Sequence, residues 1–170
     1  TVTADAVHLV VPTFPAASNP QVQQMPTQAE LTKYFDSVKA GVNGKIVLVG
    51  KHTFIDQSRD PAPKHIPLED LKKRFDPNSP APEFRFPQRT PVTPREGALT
   101  AGQVNEQLEK FLLDNNVLVR INESQLDRGA VRAFNNRTFD IAKAVPTVVL
   151  RNEDFGRITR LLAHQTPVKL

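Results

Sequence analysis

The chain has 170 residues, of which 39% are hydrophobic and none is cysteine. That length suits one domain with its own core, and the lack of cysteine excludes a disulfide framework and any thiolate zinc site. A net charge of +4 is too mild to argue for a polyanion partner, and no apolar run reaches the roughly 18 residues a membrane span needs.

Ala6-Val-His-Leu-Val-Val11 is a short apolar run stopped by Pro12, which predicts a strand. Residues Pro12 to Pro26, rich in Pro, Ala, Asn and Gln, read as a loop. Thr27-Gln-Ala-Glu30 has capping-box spacing, and Leu31, Tyr34, Phe35 and Val38 follow at helical spacing. Gly41 to Gly44 breaks that helix. Lys45-Ile-Val-Leu-Val-Gly50 is a continuous apolar run, as expected of a central strand buried on both faces.

Residues Arg59 to Arg95 differ in kind, holding nine of the fifteen prolines. Only Pro67 to Phe75 suits a helix, with proline at its first turn; the rest reads as an extended arm, a length of connection that is usually functional or disordered. Regular structure resumes at Thr100. Val104, Leu108, Phe111 and Leu112 mark a helix face ending near Asn115-Asn116, and Val117 to Ile121 is a strand. The long crossover from Lys45–Gly50 predicts that these two strands are parallel. Arg132 to Ile141 suggests a hairpin or irregular strand. Val145 to Leu150 is the next strand, with Pro146 near its start. Asn152 is the expected cap of a last helix, Glu153 and Asp154 suit its dipole, and Phe155, Ile158, Leu161 and Leu162 form its apolar stripe. Pro167 then opens a terminal strand. No signal-peptide pattern is present, and both Thr1 and Leu170 border strand-like patterns, which predicts a fragment of a longer precursor with its two ends close together.

Three segments resemble the protease-associated (PA) domain, in the form inserted in secreted di-zinc aminopeptidases related to glutamate carboxypeptidase and the transferrin receptor ectodomain. They are Gly44-Lys-Ile-Val-Leu-Val-Gly50, the helix and strand Glu106 to Ile121, and the closing Val145-Pro-Thr-Val-Val-Leu-Arg-Asn-Glu-Asp-Phe155 with the helix that follows to Leu162. Their order is that of the family, and together they span nearly the whole chain, read as a single PA-like domain over 1–170 with a Pro-rich arm at 59–95. Asn115-Asn116-Val117 departs from the small residues usual at the helix exit, and the arm is longer than in a minimal domain.

The resemblance implies an α/β fold of the swivelling β/β/α type, an open barrel-like sandwich with flanking helices. It implies a non-catalytic insert whose partners are the parent's catalytic domain, a peptide or protein substrate and a second copy in a homodimer, with no nucleic acid and no membrane span. The parent would be extracellular or periplasmic and hold two zinc ions; this chain would hold no cofactor. The alternative is a stand-alone PA-type peptide-binding module of another protease or sorting protein.

The residues agree with a chain without its own catalytic site. None of His8, His52, His65 and His164 is followed two residues on by Asp, and there is no Glu-Glu pair, so the ligand motifs of a di-zinc peptidase are missing. His52 and Asp56 are four apart, but Thr53 to Ile55 is not helical sequence, and His52 reads as a surface histidine. No Gly-x-Ser-x-Gly elbow or cysteine nucleophile exists. Gly41 to Lys45 has the wrong glycine spacing for a phosphate loop. Glu69-Asp70 and Glu153-Asp154 fall in first helical turns and read as capping groups. In the arm, basic residues alternate with Phe75, Phe84 and Phe86, a mixture that can bind single strands, yet Glu69, Asp70, Asp76 and Glu83 dilute the field, and packing of the phenylalanines onto their own domain or onto a neighbour is the better reading. Arg85, Phe86, Arg89 and Arg95 are the candidate protein or substrate contacts. Asn122-Glu-Ser124 and Asn136-Arg-Thr138 match a glycosylation sequon that arises easily by chance.

Overall fold

The computed structural model describes residues 1–16, 19–55, 67–78, 94–126, 128–132 and 140–170. The fold is mixed α/β, and the chain divides into two compact units, one of Thr1–Ile55 with Val92–Leu170 and one of Asp56–Pro91.

In the first unit, β1 (Ala6–Leu9), β4 (Ile46–Val49), β5 (Val119–Glu123) and β6 (Thr147–Leu150) form a parallel sheet in that order. Between β1 and β4 lie a two-stranded antiparallel ribbon, β2 (Phe14–Ala16) and β3 (Asn19–Gln24), and helix α1 (Gln28–Val42). Helix α3 (Ala101–Asp114) precedes β5, and α4 (Asn152–Ala163) follows β6. β4 is flanked by β1 and β5, as its unbroken apolar run requires.

Strand periodicity divides the core into two layers. Leu9 and Val47 face Val42 of α1 and Leu108, Phe111 and Leu112 of α3, with Phe35 stacked on Phe111 at 4.4 Å between ring centroids. Ala6, Ile46, Leu48 and Ile121 face the other way onto Phe155 of α4, which is wholly buried. The sheet is thus covered by α1 and α3 on one face and by α4 on the other.

Local signals explain the helix ends. Thr27 and Glu30 close a full capping box on α1, and Thr100 with Gln103 does the same for α3. At the exit of α3, Asn116 adopts φ +52°, and the Val117 N–H donates back to the Leu112 carbonyl. That bond keeps Val117 with the helix, so β5 starts two residues later than the apolar pattern suggests.

Several expectations are corrected. Pro12 to Pro26 is not simply a loop, because β2 and β3 pair within it; prolines are tolerated in a ribbon with open edges. Asn152 is the first helical residue of α4 and not its cap, a position held by Arg151 without a side-chain bond, because the Asn152 amide is engaged elsewhere. Leu161 is exposed, and Gly156 and Thr159 take the inner positions beside Phe155. The terminal strand is reduced to one bridge between Asp5 and Lys169, with Ala4 and Leu170 exchanging both backbone bonds at 3.0 Å. Of the irregular segment Arg132 to Ile141, residues 133–139 lie outside the described residues, and Ile141–Lys143 is a 3-10 turn.

In the second unit, α2 (Leu68–Arg74) is the described element, with Glu69 and Asp70 in its first turn as expected; Pro67 is its N-cap and not a residue of that turn. Among the described residues, no helix is long and apolar enough to cross a membrane.

Among the described residues, Phe155 is the largest side chain without exposed surface. Phe155→Ala should lower the unfolding free energy by about 3–5 kcal/mol, measured by urea denaturation. A loss under about 1 kcal/mol would contradict the packing of α4 on the sheet.

Candidate functional site

The carboxyl ends of β4, β5 and β6 carry two clusters of hydrogen-bonded polar side chains, one on each side of β5. Strand alternation sends Arg120 and Asn122 to the α3 side of β5, whereas Ile121 and Glu123 point to the α4 side.

Glu123 is 5% exposed and accepts from three residues on two other segments. His52 donates through Nδ1 at 2.6 Å, the Thr53 N–H reaches both carboxylate oxygens at 3.1 and 3.0 Å, and Asn152 Nδ2 donates at 2.9 Å. The same Asn152 amide donates to the Thr53 carbonyl at 2.8 Å. His52 is therefore not a surface histidine: it is half-buried against α4. Gly156 makes this possible, because a Cβ there would lie 2.6 Å from His52 Cε1 and 2.7 Å from Nε2. Gly50, at φ +99°, turns the chain out of β4 toward His52, and its carbonyl accepts from His8 Nε2 at 2.7 Å.

On the opposite side of β5 is a cleft of about 540 Å³ between the strand ends and α3. Arg120, 9% exposed, forms its floor. The guanidinium pairs with Glu109, and it donates to Asn122 Oδ1 at 2.9 Å and to Asn105 Oδ1 at 3.3 Å. Burial pulls the Arg120 pKa below its usual range, and Glu109 supplies the counter-charge that permits a cation there. Asn122, the first residue of one sequon, is tied into this floor, and Ser124 is fully buried.

Of the four candidate contact residues, Arg85, Phe86 and Arg89 lie outside the described residues. Arg95 is described, and its guanidinium grips Glu30 with two bonds, at 3.1 and 2.6 Å, while resting 4.4 Å above the Phe14 ring. Its backbone N–H also donates to Gln24 Oε1 at 2.8 Å. Arg95 thus joins the ribbon to the cap of α1. Arg95 and the Thr27 N–H together hold the Glu30 carboxyl down, from its ordinary 4.5 to about 2.

The His52–Glu123 pair is the signal that sequence reasoning missed, since 71 residues separate its members. Among the described residues no group of three or more His, Asp or Glu side chains could hold a metal ion. Within the pair, both Glu123 oxygens already accept hydrogen bonds, which fits a structural anchor better than a zinc ligand. Comparison with protein-family models, with curated proteins and with solved structures finds no match for this chain.

Two outcomes test these contacts. Glu30 has a depressed folded-state pKa, so its contribution to stability is complete above the unfolded value and is lost as pH falls through the folded one, between 4.5 and about 2. Denaturation midpoints across that window should fall more steeply for the native chain than for Glu30→Gln; parallel curves would count against the Arg95 grip. Gly156→Ala should dislodge the His52 ring and cost about 1–3 kcal/mol. Unchanged His52 ring signals by NMR, together with unchanged stability, would refute the close approach.

Proposed function

We propose that this chain is a protease-associated accessory domain of a secreted di-zinc aminopeptidase, a non-catalytic body that borders the parent's cleft, restricts substrate entry and makes protein contacts. The observation that carries this reading is the position of the three family-like segments. They coincide with β4, with α3 and β5, and with β6 and α4, so each lies on a strand or helix of one continuous sheet unit. A parallel sheet, an antiparallel ribbon and covering helices are also the kinds of layer that a swivelling β/β/α fold uses.

In this reading the two zinc ions and their ligands belong to the parent's catalytic domain, and an extracellular or periplasmic location follows from that of the parent. The second reading, a stand-alone peptide-binding module, is favoured by the polar cleft beside β5 and requires no zinc enzyme around it.

Incubating the purified chain with aminoacyl p-nitroanilides and zinc should give no release above a buffer blank; turnover by this chain would overturn the non-catalytic assignment. The reading frame that encodes it should also carry His-x-Asp and Glu-Glu ligand motifs beyond Leu170. A frame without them would overturn the aminopeptidase parent and leave the binding module.

A further inference from the structure

The cleft beside β5 is arranged to present donors. Arg120 draws the side-chain oxygens of Asn122 and Asn105 toward itself. Each amide must then direct its Nδ2 hydrogens elsewhere, and among the described residues neither Nδ2 has a partner. Both residues line the cleft, and Gln125 adds a third amide at its rim. A buried, charge-neutralised arginine is thus spent on orienting two asparagines, an investment that packing alone does not require.

At the cleft the buried Arg120 is neutralised by Glu109, and the Glu123 carboxylate is turned to the α4 side, filled by His52, Thr53 and Asn152. Neither offers an uncompensated charge to a ligand, and Lys51 at the rim is exposed to solvent. A neutral ligand rich in acceptors gains most, because the half-buried Asn122 and the exposed Asn105 each keep an amide donor that Arg120 leaves unused. No aromatic side chain lines the cleft, so the flat stacking platform that suits a sugar ring or nucleobase is missing among the described residues. Met25 and Val49 supply an apolar wall instead.

We infer that this cleft binds an extended, uncharged stretch of polypeptide main chain, with Asn105 Nδ2 and Asn122 Nδ2 donating to peptide carbonyl oxygens and Met25 and Val49 packing against a side chain. The inference rests on the proposed accessory role only for the source of the peptide; the binding itself is carried by the cleft.

The test is a titration of the full chain with an N-acetylated, C-amidated Ala-Ser-Ala-Ser peptide, followed by amide NMR shifts. Saturable shifts should centre on Lys51, Asn105, Asn122 and Gln125. Asn122→Asp and Asn105→Asp keep the acceptor that Arg120 uses but remove the outward donor. Each should weaken binding roughly three- to tenfold, the equivalent of one lost hydrogen bond, with the thermal midpoint unchanged. Parallel titrations with sodium acetate and with maltose should leave the cleft signals unmoved. Absence of saturable shifts up to about 20 mM peptide, shifts confined to other surfaces, equal affinity in both variants, or acetate or maltose binding in place of the peptide would each overturn the inference. A cleft that binds the peptide in a chain whose reading frame lacks zinc motifs would sustain the inference and discard the aminopeptidase parent.

Discussion

Three segments that leave the carboxyl ends of neighbouring strands are tied to one buried carboxylate. Glu123 ends β5, receives His52 and Thr53 from the turn after β4, and receives Asn152 from the first turn of α4. A carboxylate this deeply buried is tolerable only when its oxygens are filled by donors. Here the donors come from residues 52, 53 and 152, so the charge can be satisfied only if β4, β5 and α4 take up their correct relation. The cost of leaving it unsatisfied makes the cluster a check on the assembled sheet rather than a simple cross-link.

The two sides of β5 show how one short strand serves two purposes. Residues 121 and 123 complete the α4 side, one as core and one as anchor, whereas residues 120 and 122 build the floor of the cleft. Because side chains alternate along a strand, these assignments cannot be exchanged without a one-residue slip that would bury Asn122 and expose Ile121. Glu123 therefore holds the register on which the geometry of Arg120 and the two asparagines depends.

Around the start of α1 the same economy recurs at the surface. Glu30 completes a capping box and grips Arg95, whose ring contact and backbone bond reach β2 and β3. One carboxylate therefore caps a helix and fastens the chain that returns after the proline-rich segment. Arg95 has a structural occupation of its own, separate from any contact it makes with a partner.

What could be read directly from the residues was local. The capping spacing of Thr27 and Glu30, the stripe Val104, Leu108, Phe111 and Leu112, the unbroken apolar run of β4 and the proline before α2 each depend on neighbours within a few positions, where backbone sterics and hydrogen-bond supply dominate. The ribbon over Phe14–Gln24 was hidden because proline and glutamine carry weak strand preference, and its pairing comes from the partner strand. Asn152 carries the residue type of a cap, but a tertiary acceptor, Glu123, competes for its amide and wins. His52, Glu123 and Gly156 look unremarkable in sequence, since nothing in a one-dimensional pattern reports that an imidazole will lie on a glycine a hundred positions away. By itself the sequence determined the helices, the central strand and the order of the family-like segments. Only the tertiary structure decided the anchor and the cleft, because both depend on side chains brought together from distant strand ends, where buried polar groups must find partners.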